Sequence, residues 1–277
     1  MFDTADNDPA SRAAIAALLD FYVEAGVDTA LDDLPVDRFR ESAEARAAVP
    51  VRQPAAPAAE PRQPAAAPLQ LMAVEGGDDA VRAASDLARG ADSLDALRAA
   101  LAGFEGCALK KTAKNLVFAD GTPQARVMFV GEAPGRDEDL QGKPFVGRSG
   151  RLLDLMLKAV GLDRAANAYI ANIVPWRPPG NRTPTPQEAA ACHPFIARQI
   201  ELCDPDVLVC LGGPSVQALL GVKDGILRTR GRWFTYNTGK RDIRALATLH
   251  PAYLLRQPLQ KRLAWRDFKA LRKALAE

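Results

Sequence analysis

The chain reads Val127-Met128-Phe129-Val130, then Gly131-Glu132-Ala133-Pro134-Gly135-Arg136-Asp137-Glu138-Asp139, then Gly142-Lys143-Pro144-Phe145-Val146-Gly147, and then Arg151-Leu152-Leu153-Asp154-Leu155-Met156-Leu157. The apolar run predicts a buried strand, and the leucine spacing after it predicts a helix. A glycine- and proline-rich loop between the two sits where an open α/β sheet places its ligands, at the carboxyl end of a strand. Glycine lets bare backbone N–H groups approach a phosphate or a base. The same residues also suit a plain strand-to-helix connection, so the rest of the chain has to decide.

Downstream, strand patterns recur at 168–171, 207–211 and 246–249, with helical patterns near 148–160, 186–202 and 213–220. This alternation predicts an α/β fold, a three-layer α/β/α architecture with a central, mostly parallel, four-stranded sheet. The strand ends deliver Glu132, Asn172, Gly212-Gly213 and His250 to one edge of that sheet, where residues distant in sequence can line one cleft. The asparagine amide carries a donor and an acceptor, which matches the Watson–Crick edge of a pyrimidine, although Asn also serves as a turn residue. His250, one of two histidines, can donate to negative charge developing on a carbonyl oxygen, or can be structural. Phe145 stands in a loop of small and polar neighbours, where its face can stack on a base or simply pack.

Outward from this body, the chain of 277 residues divides into three. Residues 1–45 form an acidic extension, with Ile15, Leu18, Leu19, Tyr22 and Val23 on a helical stripe between an N-cap candidate, Ser11, and Gly26. Residues 46–77 form a flexible linker rich in Ala and Pro. Residues 78–277 form the catalytic domain, opening with a helical stretch at 78–101. The first 50 residues hold 11 Asp and Glu against 4 Lys and Arg, leaving 23 acidic and 32 basic residues to the rest. A basic body suits a polyanionic partner. Hydrophobic residues make up 48% of the chain, ample for a core, yet no run approaches the ~20 apolar residues of a membrane span. The start lacks the layout of a signal peptide, so the cytoplasm is the expected compartment.

Over about residues 104–275 the chain resembles the uracil-DNA glycosylase superfamily, family 4 most of all. The likeness rests on Gly131-Glu132-Ala133-Pro134-Gly135, Gly142-Lys143-Pro144-Phe145-Val146-Gly147, Asn172, Arg177-Pro178-Pro179-Gly180-Asn181-Arg182 and His250-Pro251-Ala252-Tyr253-Leu254-Leu255. It implies a monomeric, monofunctional DNA repair enzyme of base excision that flips uracil out of single- or double-stranded DNA and hydrolyses its glycosidic bond. The alternative is a catalytically weak DNA-binding protein that kept the fold. The resemblance further implies that Glu132 orients the hydrolytic water, that Phe145 stacks on the base, that Asn172 reads it, and that His250 hydrogen-bonds the departing uracil. Gly131, Ala133, Pro134 and Gly135 then line the base site. Lys143, Arg148, Arg177 and Arg182 are expected on phosphates, and Leu254, Leu255 and Arg256 as a wedge in the unstacked duplex.

Two positions depart from the superfamily's best-known branch. Ala133 stands where an aspartate is expected, so no strong general base is evident. Gly135 stands where a tyrosine excludes the thymine methyl, which implies a pocket open to other deaminated bases. The cysteines depart further. Family 4 holds a 4Fe-4S cluster on four cysteines, and the matching positions here read Phe104, Cys107, Trp176 and Cys192. Phe and Trp cannot ligate iron. Cys203 and Cys210 lie outside the family spacing, and buried free cysteines are ordinary core residues. The expectation is therefore a protein with no cofactor and no metal, in which Phe104 packs on Trp176 in the cluster's place.

Overall fold

The computed structural model describes residues 77–276. The acidic extension and all but the last residue of the linker lie outside the described residues. Two helices open the body, α1 (Gly77–Gly90) and α2 (Leu94–Gly103), where one helical stretch was expected. The break falls at Ser93, whose hydroxyl accepts from the Ala96 N–H at 3.2 Å and so starts a new helix.

The remaining elements alternate: β1 (Asp120–Gly121), β2 (Val127–Gly131), α3 (Arg136–Gln141), α4 (Arg148–Lys158), β3 (Ala168–Asn172) and α5 (Pro186–Cys203). They continue with β4 (Val207–Leu211), α6 (Gly213–Leu220), α7 (Ile226–Thr229), β5 (Trp233–Asn237), β6 (Asp242–Thr248), α8 (Pro251–Arg256) and α9 (Lys261–Ala276). The sheet has six strands in the order β1-β3-β2-β4-β6-β5. Its four central strands are parallel, as expected, and the two additions are antiparallel edges. β1 has only two residues, too few for any period to show. β6 begins at Asp242, earlier than expected, because its exposed Asp242 and Arg244 hide the strand pattern while pairing with β5.

Every residue of β2, β3 and β4 is buried, which is why these strands read as continuous apolar runs. Successive side chains go to opposite faces. Met128, Val130, Leu208 and Cys210 pack with Leu97, Cys192, Phe195 and Val216 of the α1, α2, α5 and α6 layer. Val127, Phe129, Val209 and Leu246 pack with Leu153 and Leu157 of α4 and with Phe268 and Leu271 of α9. The register sets Gly131 beside Asn172 and Leu211 beside Thr248, which brings the carboxyl ends of four strands to one edge.

Candidate active site

The chain leaves β2 at Gly131, and the missing side chain matters there. A Cβ on Gly131 would lie 2.5 Å from Asn172 Oδ1 and 2.6 Å from the Phe145 ring. Glycine thus lets the amide and the ring close on the strand end. Beyond it, Glu138 of α3 folds back on the loops at either side. Its Oε2 accepts from the Gly135 N–H at 3.1 Å, and its Oε1 accepts from the N–H groups of Val146 and Gly147 at 3.0 and 2.9 Å. One buried carboxylate therefore joins the two glycine loops that the sequence presents as separate motifs. Between them Phe145 takes a left-handed backbone conformation, φ 54°. Its ring meets the His250 imidazole with centroids 5.5 Å apart and planes 33° apart.

His250 caps α8. Its Nδ1 accepts from the Ala252 N–H at 3.1 Å, so in the neutral ring the proton sits on Nε2. Burial, with the Arg256 charge adding, lowers its pKa to about 4. Glu132 is pushed above the ordinary carboxylate value by burial, and a hydrogen bond from Thr183 pulls the other way. Glu132 Oε1 and Asn172 Oδ1 are buried and find no hydrogen-bond partner among the described residues. Both belong to a cleft of about 540 Å³ that Phe145, Gly212, His250, Arg182 and Arg256 also line. Two buried acceptors in a cleft call for a ligand that brings donors.

The structure thus brings Glu132, Ala133, Pro134, Gly135, Phe145, Asn172 and His250 together. The other expected residues stand in varied settings. Leu254, expected in the wedge, is fully buried with Leu249 and Ala264, because the α8 turn aims it at the core. That expectation is corrected; Leu255 is half-buried and Arg256 is exposed at the mouth. Arg182 makes a two-pronged pair with Glu188, 2.7 and 2.8 Å, and Arg177 Nε donates to Asn181 Oδ1 at 2.7 Å. These contacts brace the 177–188 segment that presents Thr183 to Glu132. Lys143 lies 3.5 Å from Asp120, and Arg148 is exposed at the first turn of α4. Glu138 and Thr183 escape sequence reasoning. An acidic run reads as solvated surface, and nothing in the spacing says that Glu138 turns inward.

The four cysteines are buried and unpaired. Cys107 and Cys192 lie within hydrogen-bonding reach of each other, which together with burial holds the Cys192 thiol well above its ordinary range. Cys203 Sγ donates to the Pro123 carbonyl at 2.9 Å, and Cys210 sits inside β4 with its pKa pushed by burial up to about 12. Phe104 and Trp176 are buried in the same large apolar cluster as Cys107 and Cys192. Phe104 meets the Phe195 ring, at 5.1 Å between centroids. Two thiols, with Phe104 and Trp176 at the other two family positions, do not fit a four-thiolate cluster. Among the described residues no group of three or more His, Cys, Asp or Glu is placed to hold a metal ion, and no helix is long and apolar enough to cross a membrane.

Several known proteins resemble this chain in sequence. The profile of the Uracil DNA glycosylase superfamily matches residues 118–269. A Type-4 uracil-DNA glycosylase of Archaeoglobus fulgidus is 39% identical over 184 residues, covering 65% of this chain and 92% of the relative. The enzyme of the same name from Thermotoga maritima is 45% identical over 54% of this chain and 77% of its own. That from Saccharolobus solfataricus is 37% identical over 67% and 88%.

Proposed function

Because the chain belongs to the uracil DNA glycosylase superfamily, we propose that it excises uracil from DNA by hydrolysing the N-glycosidic bond, leaving an abasic site. The observation that carries this reading is the convergence of Asn172, Phe145 and His250 on one cleft with an orphaned amide oxygen in it. Uracil is a base whose N3–H answers that oxygen, while the amide N–H can donate to its O4. A duplex hides those edges, so the base has to be flipped, at a cost of a few kcal/mol. Stacking on Phe145 contributes about 1–3 kcal/mol toward that cost.

As the C1′–N1 bond stretches, the sugar gains oxocarbenium character and negative charge spreads to uracil O2. The His250 Nε2–H meets that oxygen. A neutral imidazole keeps its proton and stabilises the anion by preorganised hydrogen bonding. Glu132 offsets charge on the sugar, and its free Oε1 accepts from the water that attacks C1′. The bond to uracil breaks, the bond to water forms, and the water's proton passes to solvent. Ala133 leaves no second carboxylate to act as a base, so the barrier falls mainly by stabilising the leaving anion.

Arg256 at the mouth of the cleft and the exposed Arg148 on α4 position the DNA as phosphate contacts, and the protein acts as a monomer. Two thiols and an aromatic plug close the α2–α5 corner without iron. A side chain at position 135 would meet Glu138 Oε2 at 2.7 Å, so the clamp itself keeps that wall bare. This supports excision of further deaminated bases. Duplexes carrying uracil, thymine, hypoxanthine and xanthine test it; cleavage of uracil alone would overturn it.

An excision assay on uracil-containing single and double strands tests the main reading. Uracil release that falls about 10²–10³-fold in His250→Ala is expected, as for loss of one preorganised donor. Salt-sensitive DNA binding without release would favour a binding protein that kept the fold.

A further inference from the structure

The sequence gives Arg164 no motif, and it lines no part of the cleft described above. Its guanidinium nevertheless lies directly behind the Phe145 loop, with a side chain only 16% exposed. Nη1 donates to the Pro144 carbonyl at 3.1 Å and Nη2 to the Phe145 carbonyl at 2.8 Å. Two carboxylates aim the fork. Asp154 Oδ1 accepts from Nε at 2.9 Å and from Nη2 at 2.7 Å, and Asp120 Oδ2 accepts from Nη1 at 3.0 Å.

On the other side of the same loop, Glu138 accepts from the amides of Val146 and Gly147. The peptide between Phe145 and Val146 is therefore held at its carbonyl by a cation and at its N–H by an anion. This peptide needs holding. A left-handed φ at a phenylalanine is unfavourable by roughly 1–2 kcal/mol, and the backbone returns to the extended region if released. Gly150 sits against the Phe145 carbonyl so closely that a Cβ would overlap it, which fixes the same atom from below.

We propose that Arg164 is a positioning residue for the stacking platform: it locks the Phe145 backbone in its left-handed pose and so sets the ring on which the flipped base rests. The proposal rests on the reading of Phe145 as that platform. Lysine cannot replace arginine here, because one ammonium cannot serve two adjacent carbonyls and two carboxylates in a plane.

The test combines excision kinetics with a direct probe of the ring. Phe145 is replaced by 4-fluorophenylalanine, and its fluorine resonance is recorded in the full chain with Arg164 intact, with Arg164→Lys and with Asp154→Asn. The last removes one carboxylate that aims the guanidinium and leaves the guanidinium itself, so it answers if Arg164→Lys does not fold. A shifted or exchange-broadened resonance is expected in both variants. A resonance identical to that of the parent overturns the lock whatever the kinetics.

In the excision assay Arg164→Lys is expected to lower kcat/KM about tenfold, the equivalent of one charge-assisted hydrogen bond. In a Phe145→Ala background the same change is expected to cost less than about twofold, because an effect transmitted through the ring vanishes with it. Equal losses in both backgrounds would show that Arg164 acts elsewhere. Full activity in Phe145→Ala would overturn the stacking reading, and with it the catalytic half of the proposal, while the fluorine signal still decides whether Arg164 holds the ring.

Discussion

His250 and Glu132 sit in the same cleft, and burial moves their titrations in opposite directions. Burial disfavours the charged form of each, so the imidazolium loses its proton more readily while the carboxylic acid keeps its own longer. His250 is neutral at all pH values well above about 4, and its Nε2–H donor is present throughout the neutral range. No inflection near 6.5, the ordinary histidine value, is expected in kcat/KM. Glu132 has to be ionised to accept from water and to face a cationic sugar. As pH falls through its raised value, that carboxylate is protonated and excision drops, so the acid limb lies above the ordinary 4.5. Glu132→Gln should flatten this limb and lower the plateau. A limb near 6.5 that survives in Glu132→Gln and disappears in His250→Gln would reverse the two assignments. At Asn172 an alanine removes the amide that meets both N3–H and O4. Loss of two hydrogen bonds to a buried base predicts a drop in kcat/KM of about a hundredfold or more, read in the same assay.

Elements, rather than residues, explain why some of this could be read from the sequence. The strands β2, β3 and β4 are buried on both faces and bounded by glycine, proline or asparagine, so each appears as a short apolar run. Their carboxyl ends then predicted the company of Glu132, Asn172 and His250. Edges resisted the same treatment. β1 is two residues long, and β5 places Trp233 on one face under Arg244 and Phe234 on the other under Arg232, so neither face reads as a buried apolar run. The helix α9 carries Ala264, Phe268, Leu271 and Ala274 on one buried stripe, a period diluted by the charged residues Arg266, Asp267, Lys269, Arg272 and Lys273 that stand between them. Glu138 is the residue no pattern could place, since its partners lie three, eight and nine positions away in loops whose approach only tertiary folding defines. The clamp makes a definite demand. Glu138→Ala leaves three amide N–H groups without their acceptor, and about 2–4 kcal/mol of destabilisation is expected in denaturant unfolding. Glu138→Gln keeps the shape but has one acceptor oxygen, so it should fall between the two. A Glu138→Ala protein as stable as the parent would mean that water replaces the carboxylate, and that the loops are held by Arg164 and the helices alone.

Across the whole molecule the question is what holds the upstream segment on the sheet. Helices α1 and α2 reach the body mainly through α5, and at that corner Phe104 meets Phe195 and Cys107 meets Cys192, within the apolar cluster that also holds Trp176. A metal cluster at such a corner makes stability depend on iron and on oxidation state, because its binding free energy becomes folding free energy. An aromatic plug has neither dependence. Each ring buries roughly 150–250 Å², about 4–6 kcal/mol at 25 cal/mol per Å² before ordering costs, an upper estimate of the same order as what a small domain needs to stay folded. The remaining Cys107 and Cys192 are then a hydrogen-bonded pair of thiols inside an apolar cluster, and among the described residues no third His, Cys, Asp or Glu joins them to make a metal site. Protein purified without oxygen should carry no stoichiometric iron or acid-labile sulfide, and its unfolding midpoint should not move with chelator. Trp176→Ala should lower stability by about 3–5 kcal/mol, the usual cost of deleting a buried aromatic ring. The double replacement Cys107→Ala with Cys192→Ala should cost less than Trp176→Ala and leave excision intact. Stoichiometric iron, or a collapse of stability on removing the two thiols alone, would show that sulfur still carries the corner.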